Sequence, residues 1–154
     1  MLKSLKGFLL GKNTLEDVKS IKKLFYDILN YVEEGIDKPN DKYKQLYDTF
    51  IDLYNYNGYV YRGVYSETGQ LKQNNKSELF SFTSKLDVAE NFAINDDCIG
   101  FVFRQYVENS LNLGELLLAL ECKGILSSDD INNFWGEDEV ICYINNTLEI
   151  IKTY

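Results

Sequence analysis

A chain of 154 residues with 45% hydrophobic and 14% aromatic content is long enough for one well-packed domain, too short for two comfortable ones, and too apolar to be disordered. Its net charge of −8 argues against nonspecific affinity for nucleic acid, which relies on clustered Lys and Arg. The absence of histidine excludes Ser-His-Asp and Cys-His catalysis, His-ligated metal centres and His proton shuttles, so any chemistry falls to carboxylates, hydroxyls, Arg, Lys or Cys.

The opening "MLKSLKGFLLGK" reads as a short helix or arm: it has no sustained apolar core and no small-residue cleavage site. Thr14 to Gly35 has the pattern of a helix. Thr14 is placed to cap it, Glu16 and Asp17 fall in its first turn, and Gly35 lies just past its end. Leu15, Val18, Ile21, Phe25, Ile28, Leu29 and Val32 recur at three- and four-residue steps and form one apolar face. After the turn around Pro39, Asp41 begins a second helix whose apolar face comprises Tyr43, Leu46, Tyr47, Phe50, Leu53 and Tyr54.

From Gly58 the texture becomes that of strands. "GYVYRGVY" and "LFSFTS" are strand segments, "KLDVAENFAIN" a short helix, and "IGFVFRQYV" a strong strand. "LNLGELLLALECKGI" is compatible with either helix or strand. "EVICYI" and "TLEIIKTY" close the chain as strands joined by a tight turn at Asn145 and Asn146. Helices followed mainly by strands predict an α+β fold in one domain, residues 1–154, with a helical layer over 1–56 and a β-rich part over 57–154. The helical layer holds nine Lys and nine Asp or Glu. The β-rich part holds seven basic against fifteen acidic residues, hence all the excess negative charge. Such an acidic face suits a basic partner.

Cys98, Cys122 and Cys142 are odd in number and form no CxxC pair, so free, buried thiols in a reducing compartment are expected. No segment approaches the roughly 20 apolar residues that span a membrane. A cytoplasmic monomer is expected.

Three groups of polar residues interrupt strand patterns. Arg62 lies in the middle of the aromatic "YVYRGVY", where a guanidinium needs an anionic partner and Gly63 permits close approach of a ligand; the plainer reading is an edge-strand arginine on a solvated face. In "SFTS" the hydroxyls Ser81, Thr83 and Ser84 flank Phe82; Ser84 with Asp87 fits a simple helix cap, which leaves Ser81 unexplained. In "WGEDEVICYI", strand periodicity puts Glu137 and Glu139 on one face and Asp138 on the other. Paired carboxylates on one cleft occur in glycosyl-transfer chemistry, although a solvated acidic strand end is the simpler account.

The order Arg62-Gly63, then "SFTS" followed by "DVAENFA", then "GEDEVI" resembles the Arg-Ser-Glu class of mono-ADP-ribosyltransferases, a group that includes clostridial exotoxin-like and small phage-encoded enzymes. The resemblance spans about residues 58–154. It implies an ADP-ribosyltransferase-like fold, with N-terminal helices on a core of two mainly antiparallel β-sheets around an NAD cleft, and NAD as co-substrate with no metal. It further implies that Arg62 binds the NAD phosphates and supports the cleft, and that the Gly63 backbone meets the nicotinamide amide. The family's Ser-Thr-Ser motif aligns either with Ser81-Phe82-Thr83 or with Phe82-Thr83-Ser84; the first places Ser81 to orient the catalytic glutamate. Phe92 matches the aromatic set against the nicotinamide ring, Glu139 the catalytic glutamate, and Glu137 the acidic residue linked to arginine acceptors. Phe134 and Trp135 fall in the loop that contacts the target protein.

The expected activity is therefore transfer of ADP-ribose from NAD to a protein side chain, arginine foremost, with release of nicotinamide. Size and composition suggest an effector of phage or mobile-element origin acting on a host-cell protein. Two other readings stand beside it: an acidic, non-enzymatic inhibitor that mimics nucleic acid, and an NAD glycohydrolase on the same fold.

Overall fold

The computed structural model describes residues 1–33, 41–71, 76–131 and 138–154, and the side chains of these apart from 28–33, 41 and 42. The elements in chain order are α1 (Leu2–Leu9), α2 (Val18–Glu33), α3 (Asp41–Phe50), β1 (Asn55–Ser66), β2 (Leu79–Thr83), α4 (Leu86–Ala93), β3 (Ile99–Asn112), α5 (Leu113–Cys122), β4 (Glu139–Tyr143) and β5 (Glu149–Thr153). This is an α+β arrangement, and the strands begin at Asn55, slightly before the expected boundary. Among the described residues, no helix is long and apolar enough to cross a membrane.

The helical layer follows its apolar spacing. Ile21 and Phe25 of α2 and Tyr43, Leu46 and Phe50 of α3 are buried in one cluster with Leu79 of β2, Leu111 of β3 and Ile141 of β4. Thr14 does not cap α2. Asp17 accepts the Ser20 amide at 3.1 Å, so the helix starts three residues later than expected. The bonds to Ser20 hold the Asp17 carboxyl below the usual carboxylate range. The ambiguous "LNLGELLLALECKGI" is helical from Leu113. Asn112 caps it by accepting the Glu115 amide at 3.1 Å, and Leu113, Leu116, Leu117 and Leu120 are buried at helical spacing.

All the described strands belong to one antiparallel sheet, ordered β1-β2-β4-β3-β5, and a further β1–β3 pairing closes the first four into a ring. The two sheets implied by the resemblance are thus continuous. The cause is β3, whose 14 residues pair with β1 along most of their length, with β5 from Phe101 to Arg104, and with β4 at Leu111 and Asn112. Val60, Phe80, Phe82, Val107, Val140, Cys142 and Ile144 form the cluster inside the ring. These are alternate positions on their strands, as period-two side chains require.

The turn after β4 does not make a hairpin. β4 pairs with β2 and β3, and β5 pairs with β3. Asn145 instead straps the connection to β3: its amide donates to Gln105 Oε1 at 3.0 Å and its side chain to the Tyr106 carbonyl at 2.7 Å. The fully buried Gln105 also donates to the Tyr143 carbonyl at 3.0 Å and to Cys142 Sγ at 3.3 Å.

The thiols are free, as expected, yet Cys122 is exposed and Cys98 half-buried; only Cys142 is buried. Burial pushes the Cys142 thiol up to about 12. Iodoacetamide at neutral to mildly alkaline pH is therefore expected to modify Cys122 in the folded protein and to reach Cys142 only after denaturation, which peptide mapping will show.

Helix α4 lies close against the sheet, with Ala89 and Ala93 packed on Val102. A Cβ on Gly63 would fall 1.8 Å from the Ala89 carbonyl oxygen, and one on Gly100 would fall 2.0 Å from that of Ala93. Gly63→Ala and Gly100→Ala are each expected to destabilise the fold by about 1–3 kcal/mol. Thermal denaturation should read this as a Tm roughly 3–10 °C lower.

Candidate active site

β2 and β4 run antiparallel with Thr83 opposite Glu139 and Ser81 opposite Ile141. Ser81 and Glu139 are therefore diagonal neighbours on one face, near enough for their side chains to meet. They do: Ser81 Oγ donates to Glu139 Oε1. Phe80, Phe82, Val140 and Cys142 take the intervening positions and fill the ring. The Ser81–Glu139 pair consequently lies on the outer face, the side on which Leu79 and Ile141 join the helical cluster. Glu139 is 4% exposed and Thr83, directly across from it, is also buried. A carboxylate removed from water is stable only with hydrogen-bonding partners, and the Ser81 hydroxyl is one.

Arg62 joins this pair from the neighbouring strand. β1 and β2 are in register at Tyr61 and Thr83. One residue on, Arg62 Nη1 donates to the Ser81 carbonyl at 2.7 Å. The guanidinium carbon stands 5.5 Å from the Phe80 ring centroid, within cation–π range. This is not the solvated edge-strand arginine of the simpler reading: Arg62 is half-buried and spans two strands. It also borders a cavity of about 240 Å³ lined by Val64, Phe82, Phe103, Ile144 and Leu148 among others, with neither Ser81 nor Glu139 in its wall. Arg62 and the Ser81–Glu139 pair are thus one hydrogen-bonded chain whose ends lie on different sides of β2.

The other expected site residues are placed as follows. Gly63 is occupied on its Cα side by α4, so the close approach it permits is that of a helix backbone. Phe92 projects from α4 and is 53% exposed. Thr83 Oγ1 accepts the Lys85 amide at 3.1 Å. Ser84 does not cap α4: the N-cap is Lys85, no side chain caps the helix, and the Ser84 amide donates to the Asp138 carbonyl at 3.1 Å. Glu137, Phe134 and Trp135 lie outside the described residues. Period-two alternation between Glu137 and Glu139 would require extended backbone at the residue between them. Asp138 instead has φ of 43° in the left-handed region, and β4 starts only at Glu139.

Asp138 itself, and Lys85 with which it forms a 2.5 Å ion pair, were not among the expected site residues. That contact and hydrogen bond raise the Lys85 ammonium above its ordinary range. An Asp directly before a strand is a legible sign of such a turn, since Asp tolerates left-handed backbone better than most residues.

Chemically, a carboxylate can accept from a hydroxyl and a guanidinium can face an anion. The cavity beside Arg62, about 240 Å³, is below the ~300–1,000 Å³ usual for a drug-sized ligand, so it suits a fragment of such a molecule. Comparison with known protein families, curated proteins and solved structures finds no match to this chain.

The two alignments of the serine motif make different demands on stability. Ser81→Ala removes a hydrogen bond to a buried carboxylate and is expected to cost about 1.5–3 kcal/mol. Ser84→Ala, whose bond to Asp138 runs through the backbone amide, should stay within ~0.5 kcal/mol of wild type. Urea denaturation of the two variants measures the difference.

Proposed function

We propose that this protein is an NAD-dependent mono-ADP-ribosyltransferase that transfers ADP-ribose to a side chain of another protein, with arginine as the preferred acceptor. One observation supports the reading above the rest. Arg62, Ser81 and Glu139 come from three different strands, yet they form a single hydrogen-bonded chain. In the resemblance these are the three defining positions.

The chemistry asks little else of the protein. Cleavage breaks the bond between the ribose C1′ and the nicotinamide nitrogen, and the bonding pair leaves with neutral nicotinamide. A guanidino nitrogen of the acceptor forms the new bond to C1′ and gives up one proton to solvent. Positive charge develops on the sugar only in the transition state. A carboxylate bonded to a ribose hydroxyl stabilises that charge more than it stabilises the ground state, which is what accelerates a reaction. Glu139 is the group for this role, and the Ser81 hydroxyl fixes its orientation. Because Glu139 is 4% exposed, its contact with a sugar hydroxyl requires the covering groups to move aside.

The net charge of −8, all of it in the β-rich part, attracts a basic partner surface, the kind that presents arginine.

Incubation with labelled NAD and a cell extract tests the proposal. Wild-type protein is expected to label a protein band, and Glu139→Gln to label it ~100-fold more slowly. Equal labelling by both would reject the role of Glu139. Nicotinamide release without protein labelling would identify a glycohydrolase, with water as the acceptor. An absence of saturable thermal stabilisation by NAD, together with no nicotinamide release, would reject NAD chemistry and favour a non-enzymatic acidic inhibitor.

A further inference from the structure

Among the described residues only Asn109 and Asp138 combine a side chain with positive φ. Asn109 is accounted for by the β1–β3 irregularity, where its amide donates to Asn57 Oδ1 at 2.9 Å and its carbonyl accepts the Tyr47 hydroxyl at 2.9 Å. Asp138, with φ of 43°, immediately precedes the buried Glu139.

Its surroundings hold it from several sides. Its carbonyl accepts the Ser84 amide at 3.1 Å, just beyond the last rung between Thr83 and Glu139. The first turn of α5 lies alongside, so that a Cβ on Gly114 would come within 3.5 Å of the Asp138 Cα and 3.6 Å of the Glu139 nitrogen. Its carboxylate pairs with Lys85 at 2.5 Å. The last contact is the most conspicuous and the least consequential, because its partners are 51% and 44% exposed and pairs so exposed contribute little. The backbone is more demanding. Left-handed φ is accessible to Gly, Asn and Asp and disfavoured for β-branched residues.

We propose that Asp138 is a positioning residue for Glu139. Its left-handed backbone, bonded to Ser84, bends the chain at the entrance to β4 and turns the Glu139 carboxylate onto Ser81 on the outer face of the ring; the Lys85 ion pair is incidental to this. Only the catalytic consequence rests on the transferase reading. The effect on the carboxylate does not.

Both can be measured in the full-length protein. Carbon-detected NMR follows the titration of the Glu139 carboxyl, assigned by its loss in Glu139→Gln, while nicotinamide release gives kcat and KM. Asp138→Gly and Asp138→Asn, which retain access to left-handed φ, are expected to keep the Glu139 midpoint and most of the turnover. Asp138→Val should shift the midpoint and lower kcat by up to ~100-fold, the scale of a misplaced catalytic group, with KM little changed. Asp138→Ala serves in its place if the valine variant does not fold. Lys85→Met should match wild type. An unshifted midpoint in Asp138→Val or its alanine substitute would overturn the proposal. So would a shift in Asp138→Asn or Lys85→Met, which would assign the effect to the ion pair, or a shift in Asp138→Gly. If the wild-type protein neither releases nicotinamide nor is stabilised by NAD, the transferase reading fails and the titrations still decide whether Asp138 positions Glu139.

Discussion

A carboxylate taken out of water costs several kcal/mol unless hydrogen bonds replace its hydration, and Glu139 is almost fully buried at the first residue of β4. The neighbouring elements are arranged around that demand. The Ser81 hydroxyl reaches it only because β2 and β4 pair with Thr83 opposite Glu139; a slip of one residue would turn Ser81 to the other face. Arg62 in turn holds the Ser81 carbonyl from β1, where β1 and β2 are in register at one position. The register of β2 is therefore supported on both its edges, by the ladder to β4 and by a side chain from β1.

Ring closure gives this arrangement two sides. Alternate residues of β2 and β4 fill the ring with Phe80, Phe82, Val140 and Cys142, while Ser81 and Glu139 face outward. Arg62 belongs to the inner side, where its guanidinium lies over Phe80 and beside the cavity. Gln105, fully buried with bonds to Tyr143, Asn145 and Cys142, fastens the far end of β4 to β3. Opposite ends of β4 are thus fixed by different means: Gln105 after the strand, and the left-handed Asp138 before it.

Features governed by local periodicity were legible in the sequence. The apolar faces around Ile21, Phe25, Leu46 and Phe50 are those that the structure buries, and the strand character of 58–65, 79–84 and 99–107 falls within or nearly within β1, β2 and β3. What failed depended on partners distant in sequence or on one residue's dihedral angle. The pairing of β3 with three other strands makes one sheet of two, and the Asn145 turn leads to a strand that pairs elsewhere. Asp17 rather than Thr14 caps α2 because both are competent caps, and composition cannot rank two such candidates three residues apart. The extended backbone on which a period-two pattern rests is absent at Asp138, whose left-handed φ periodicity does not foresee. Ser81 and Glu139 were identifiable because each was a polar residue where the strand pattern called for another hydrophobe. Their mutual contact was not, because it depends on inter-strand register.

The position of Arg62 bears on how any loss of function there is interpreted. A guanidinium that only neutralised phosphate would be partly replaceable by lysine, which retains the charge. Arg62 also bonds the carbonyl of the residue whose hydroxyl holds Glu139, so removing it disturbs the carboxylate through Ser81 even when no ligand is present. Lysine, a single ammonium on a flexible stem, does not reproduce a planar group that lies over Phe80 while donating to a strand carbonyl. Weakened activity in Arg62→Lys would therefore not by itself assign phosphate binding to Arg62. Under the proposed transferase activity, the distinction lies in whether the affinity for NAD or the state of the Glu139 carboxyl changes first, and a side chain placed between the cavity and the serine is able to affect both.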